Sequence, residues 1–200
     1  LFAINLLMYL PILLINFLLL FVIFFEKESK QKSILFNIRI SLVKSSIIIA
    51  LISYILVEIL SIFNGLNTIN TIIAWLIVLA LSIFYTRKSP FRLILLQIAT
   101  YKLELSKQTK WIFFILGVLV VLPLFLLAIY IPPNNWDSMA YHLPRVEHWI
   151  QNRNIYPYPT NIVRQVLTSP LHEYILTNLQ LLTGVDSYFN IVQWWSFILI

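Results

Sequence analysis

The chain has 200 residues, of which 60 % are hydrophobic and only 11 % charged, with a net charge of +6 and a mean hydropathy of +0.87. A soluble domain carries about a quarter charged residues, so the composition excludes an ordinary soluble fold and makes the bilayer the expected solvent. The absence of cysteine excludes disulfides, thiolate metal sites and cysteine nucleophiles.

About 20 apolar residues of helix cross a hydrocarbon core about 30 Å thick. Four runs meet or approach that length: Phe2 to Phe25 without a charge, Ser45 to Phe63 with only Glu58, Ile69 to Tyr85, and the uncharged Trp111 to Ile131. Within a bilayer each is expected to be helical, because no other conformation satisfies the backbone internally. The first run is too long for the apolar part of a signal peptide, and no small-residue cleavage site follows it, so it reads as a retained span. The chain starts at Leu1 without an initiator methionine and stops at Ile200 inside an apolar run, so a longer protein is expected. The fold class is all-α, a polytopic transmembrane helix bundle with an amphipathic interfacial helix in an extracytoplasmic loop. Residues 1–110 hold three spans and a linker. Residues 111–200 hold a fourth span, an outer loop at 132–169, a short helix at 170–183 and the start of another span from 188.

The positive charges fix the expected orientation. The loop at 26–44 carries Lys27, Lys30, Lys32, Arg39 and Lys44, and the loop at 86–110 carries Arg87, Lys88, Arg92, Lys102, Lys107 and Lys110. The turn from Asn64 to Thr68 carries none, so both basic loops are placed in the cytoplasm and everything after Ile131 emerges outside, in a multi-pass plasma-membrane topology. Topology alone explains the basic loops, and no nucleic-acid partner is invoked. Leu93 to Leu105 reads as an amphipathic linker along the surface. Pro123 bends the fourth span without breaking it.

The outer segment is chemically dense: it holds all three histidines, with Arg145, Arg153, Arg164, Asp137, Glu147 and Glu173. Met139, Leu143, Val146 and Ile150 form an apolar helical stripe, while Tyr141, Arg145, His148 and Asn152 share another face. Such a helix is expected to lie in the interface, stripe toward lipid, beside Trp136 and Trp149, and to begin or kink at Pro144. Ser169 before Pro170 reads as the cap of the next helix. Asp137 has two readings, a general base or acceptor-orienting carboxylate, or merely the cap of the helix after it. Arg145, Arg153 and Arg164 are candidate phosphate ligands, since guanidinium grips phosphate in a fork. His142 is a candidate hydrogen-bond partner of a phosphate or an acceptor, or an ordinary surface histidine. His142 and His148 do not have a helical metal spacing, so no metal and no other cofactor is expected. Glu173 falls in a first helical turn, where the dipole favours it. Glu58, an acid within a span, is a functional candidate by position and a structural pair by the simpler reading.

The order of a span, the stretch NNWDSMAYHLPRVEHWIQN and then TSPLHEYILTNLQLLTG resembles the GT-C membrane glycosyltransferases, in particular the protein mannosyltransferase and aminoarabinose transferase branch of the family 39 type. The likeness covers about Trp111 to Ile200. It implies transfer of a sugar from a polyprenyl-phosphate donor to an acceptor (a glycan, lipid or protein) at the outer face of the membrane. Asp137 matches the acidic residue of that family's first loop, and Ser169 to Leu171 matches the opening of the following helix. Tyr141, His142, Arg145, Arg164 and Glu173 are then the candidate substrate contacts. Two departures stand out: Ser138 follows Asp137 where many members carry a second acid, and three spans precede the module. A transporter or flippase of a lipid-linked or anionic solute, or a non-catalytic membrane subunit, is the alternative.

Overall fold

The computed structural model describes residues 9–28, 33–87, 89, 91–101 and 105–200. The start of the first apolar run, and Lys30, Lys32, Lys88 and Lys102 from the basic loops, lie outside the described residues. In chain order the helices are α1 (Leu10–Glu28), α2 (Ile34–Ile62), α3 (Thr68–Thr86), α4 (Phe91–Thr100), α5 (Lys107–Leu116), α6 (Leu122–Tyr130), α7 (Leu143–Asn152), α8 (Arg164–Leu167), α9 (Leu171–Thr183) and α10 (Asn190–Leu199). The described residues contain no strand. Three helical stretches are long and apolar enough to cross a membrane: α2, α3 and the continuous α5–α6 rod, Lys107–Tyr130; the apolar part of α1 described, Leu10–Phe25, is shorter.

Helix α2 starts earlier than its apolar run. Ser33 caps it, accepting from the Phe36 N–H, so Arg39 and Lys44 lie on a helix rather than in a loop. Its 29 residues make it about 44 Å long, so it outreaches a hydrocarbon core of about 30 Å. Its buried positions, Asn37, Ser41, Ser45, Ser53, Val57 and Ser61, recur every four or eight residues. Small side chains at that period let neighbouring helices approach closely in an apolar medium. Asn67 caps α3, accepting from the Asn70 N–H at 3.0 Å.

Helix α9 is the centre of the molecule. Nine of its residues are buried, including Glu173, Tyr174, Thr177 and Asn178. It packs on α2, α3 and α7. Asn178 joins three helices: it accepts from the Trp75 indole N–H at 2.8 Å and donates to the carbonyls of Ser53 at 3.2 Å and Tyr174 at 2.8 Å. On the far side of Trp75, Asn16 accepts from Ser82 at 3.2 Å and donates to the Ile12 carbonyl at 2.9 Å. Neutral groups that satisfy one another can sit between apolar helices without a large desolvation penalty.

Helix α9 starts one residue later than expected. Pro170 occupies the cap and offers its carbonyl to the Tyr174 N–H at 3.0 Å, and no side chain caps the helix, so Ser169 does not. The end is as the sequence implies: Gly184 adopts φ 73°, a left-handed conformation that costs glycine little. Helix α4 overlaps the expected linker, starting two residues before it, and turns Ile94 and Ile98 onto Phe21, Val22 and Phe25 of α1 and Ile34 and Ile38 of α2.

Pro123 and Pro144 solve the same problem in the same way. Each follows a leucine that itself follows a five-residue widened turn, Gly117–Val121 and Ser138–His142. In both turns the leucine N–H reaches back five residues, to Gly117 and to Ser138. Proline supplies no N–H and its ring collides with the carbonyl four residues back; the wider turn relieves that collision while the helix continues. Beyond Pro123 the rod touches little except α10, where the Phe125 and Trp194 rings stand 4.7 Å apart. Only 6 % of the most apolar stretch of Lys107–Tyr130 is buried.

Candidate functional site

The site grows from the helix that contains Pro144. Its first turn is capped by Asn135, whose side-chain oxygen accepts from the Ser138 N–H at 2.8 Å. Asp137 makes no capping bond, so the cap reading of Asp137 gives way to Asn135, two residues earlier. A carboxylate in a first turn is still favoured by the helix dipole. The carbonyl that Pro144 leaves without a helical donor is that of Ala140, and it accepts from the Gln165 side-chain amide at 2.8 Å. The broken helical bond thereby becomes an anchor for the loop that returns over the helix.

The apolar stripe of this helix packs on protein rather than facing outward. Val146 is fully buried against Leu176 and Leu179 of α9 and Phe189, with Leu143 and Ile150 beside it. Met139 alone of the four stays mostly exposed. Trp149 is buried and stacks on Tyr174 with ring centroids 5.3 Å apart, whereas Trp136 is exposed. The opposite face is covered as well: the rings of His148 and Tyr158 stack 4.0 Å apart.

Arg145 is the best-satisfied side chain of the region. Its Nε donates to the Gln165 carbonyl, Nη1 to the Thr168 carbonyl at 3.1 Å and to Glu173 Oε1 at 2.8 Å, and Nη2 to the Arg164 carbonyl and Thr168 Oγ1, each at 2.8 Å. A guanidinium has five N–H donors, and all five are used. With 1 % of its side chain exposed, Arg145 fastens residues 164–168 and α9 to α7 and has no donor left for a phosphate, contrary to the sequence-based expectation.

Glu173 is wholly buried. Its Oε1 receives both Arg145 and, at 3.1 Å, His142 Nδ1, while its Oε2 has no partner among the described residues. The His142 ring is one quarter exposed, lies 4.1 Å from that of Tyr141 and meets that of His172 edge-on at 5.5 Å. Burial, then the neighbouring His142, hold His172 below the ordinary imidazole range, against a smaller opposing pull from Glu173. Above this buried layer, Asp137 Oδ1 and Arg164 Nη1 are 3.8 Å apart with side chains 60 % and 69 % exposed. Arg153 ends α7 in a left-handed conformation, φ 59°, with its side chain in the open. Five of the six site residues read from the sequence therefore fall in one corner in two layers, and Tyr141 borders it through His142.

Sequence reasoning passed over Gln165 and Thr168, which hold Arg145, since a glutamine and a threonine in an irregular stretch give no periodic signal. Tyr174 was passed over too. Its hydroxyl donates to Glu58 at 2.6 Å, which gives that acid the structural partner expected of it. Burial and then that hydrogen bond push the Tyr174 phenol well above its usual range. Behind Arg145 a cavity of about 300 Å³ opens between Trp149, Tyr156, Tyr158, Tyr174 and Thr168. Burial pushes the Tyr158 phenol up as well, partly offset by Arg145. No group of three or more histidine, aspartate or glutamate side chains converges among the described residues to hold a metal.

No protein-family model, curated protein or solved structure matches the chain.

Proposed function

We propose that this chain is a multi-pass protein of the plasma membrane that transfers a sugar from a polyprenyl-phosphate donor to an acceptor hydroxyl at the outer face, as its resemblance to GT-C glycosyltransferases implies. The observation that carries the reading is the exposed Asp137–Arg164 pair held on a rigid buried base. Arg164 has its side chain in the open and its carbonyl fastened by Arg145, so its guanidinium is positioned to meet the phosphate of a lipid-linked donor. Asp137 beside it is placed to orient the acceptor hydroxyl or take its proton. Interactions fixed in advance at the place where charge develops lower a barrier more than groups that must be gathered.

The membrane topology has independent support. The Leu66 N–H donates to the Arg153 carbonyl at 3.1 Å, the Ile155 N–H to Ser61 Oγ at 2.9 Å, and Asn154 to Asn64 at 2.8 Å. The uncharged turn and the loop after Ile131 thus meet at one end of the helices, while α4 packs toward the opposite end of α1, an arrangement that supports putting both of the former outside. Large apolar side chains line the outside of α2, α3 and the α5–α6 rod, where lipid would cover them.

The test is transfer of radiolabelled sugar from polyprenyl-phosphate donors in membranes containing the full-length protein, at matched expression. Asp137→Asn and Arg164→Gln are each expected to lower transfer by about 10²-fold or more. Full transfer by both variants would remove this pair from the site.

A further inference from the structure

Building on the transferase reading, we infer that His142, held by the buried Glu173, is the proton acceptor of the site, with Asp137 left to orient the acceptor and steady Arg164. A carboxylate only accepts hydrogen bonds, so the 3.1 Å contact between His142 Nδ1 and Glu173 Oε1 places the proton on Nδ1 and leaves the lone pair on Nε2. One quarter of the side chain is exposed, and Nε2 is the ring nitrogen not engaged by Glu173, so it is the one left for a bound hydroxyl. Glu173 cannot swing away, because it is fully buried and tied to Arg145, which is itself tied to three residues of the 164–168 segment. A rigid carboxylate behind an imidazole fixes the tautomer and stabilises the imidazolium once it forms.

Two further observations point the same way. Glu173 Oε2 is buried without a partner among the described residues. A group in that condition costs stability, and a carboxylate serving only to neutralise Arg145 would be better placed with both oxygens engaged. The turn Ser138–His142 is the widened one, and such turns inside helices are frequent at functional sites. It starts directly after Asp137 and ends on His142, so the two residues mark the two ends of a single turn. The charged and titratable groups against the ring are Glu173 and His172 from α9 and Tyr141 from its own helix, with Arg145 sharing Glu173 Oε1; Asp137 and Arg164 pair with each other.

The step balances as follows. The acceptor oxygen forms a bond to the anomeric carbon, the bond from that carbon to the phosphate oxygen breaks, and its electron pair leaves with the polyprenyl phosphate. The acceptor proton moves to His142 Nε2, giving an imidazolium whose Nδ1–H remains on Glu173. Release of that proton to water restores the site.

Full-length protein in proteoliposomes provides the test. Wild-type transfer is expected to fall as the pH is lowered, since a protonated imidazole can accept nothing further. In His142→Gln transfer drops by about 10²-fold and that acid limb disappears, whereas His172→Gln keeps it. Nitrogen-15 spectra of histidine-labelled wild type read the same point without any variant, and are expected to show the Nδ1–H tautomer at His142. An acid limb retained by His142→Gln, or an Nε2–H tautomer in the wild type, overturns the proposal while leaving the transferase reading standing. A wild type that transfers from no lipid-phosphate donor overturns both.

Discussion

Arg145 and Arg164 lie 19 residues apart and touch, the side chain of one donating to the carbonyl of the other, yet they are opposites. Arg145 is buried, fully bonded and balanced by Glu173; Arg164 is exposed, loosely paired with Asp137 and open to solvent. The contrast teaches that a cationic loop beside a membrane need not spend all its charge on a ligand. One guanidinium is consumed in giving an irregular segment a shape, and only then does the other have a defined place to stand. Burial separates the two roles. A charge withdrawn from water must have every bond made for it, and a charge with every bond made has nothing left to offer a substrate.

The largest effect that tests this division is loss of the buried charge. Arg145→Leu leaves Glu173 in the interior with its His142 contact but without its arginine and is expected to cost about 3–5 kcal/mol, read as a fall in the thermal midpoint of the solubilised protein. Combining it with Glu173→Leu removes both charges and is expected to recover much of the loss. If the single and double variants are equally unstable, the pair does not act as a unit and the division of roles fails.

A buried polar group without charge should fall between the two arginines. Asn178→Ala strips the Trp75 indole N–H of its acceptor and is expected to cost about 1–3 kcal/mol in the same measurement. A cost as large as that of Arg145→Leu would mean that polarity in this core, rather than charge, decides stability. At the exposed end, Arg164→Gln should change stability by less than about 1 kcal/mol, since exposed ion pairs contribute little. Its effect belongs on transfer. A large loss of stability with intact transfer would exchange the roles assigned to the two residues.

Much of this arrangement was legible in the sequence, and the limit has a physical reason. Long apolar runs require helices in lipid, so α3, the α5–α6 rod and the C-terminal end of α2 were read within a few residues. The early start of α2 was hidden because hydropathy marks where lipid begins and not where Ser33 caps the backbone. The loop at 132–169 was marked as the chemically dense region, and the structure gathers Arg145, Gln165 and Thr168 from it beside Glu173 of the flanking helix. What periodicity could not say was what would cover each face of the helix at Leu143 to Asn152. Its apolar stripe resembles that of a surface-lying helix, and the competing surface, α9, is supplied by residues that looked like a short apolar helix of their own. Asp137 is similar: serine, asparagine and aspartate all suit a cap, and the bond goes to Asn135, two positions earlier.

The smallest effect expected concerns His172, which shares the corner with His142 but, among the described residues, has no carboxylate within hydrogen-bonding reach. Burial holds its imidazole below the ordinary range, so in the folded protein it accepts a proton less readily than in the unfolded chain, where the value is about 6.5. The unfolded state therefore binds more protons as the pH falls, and stability must fall with it. The contribution is fully present above about pH 6.5 and is lost as the pH drops toward the folded-state value. His172→Gln removes this slope, seen as a flatter dependence of the thermal midpoint on pH between neutral and mildly acidic conditions. A slope unchanged in His172→Gln and abolished in His142→Gln would place the acid-sensitive group on the Glu173 side of the corner, and stability as well as catalysis would then run through the same imidazole.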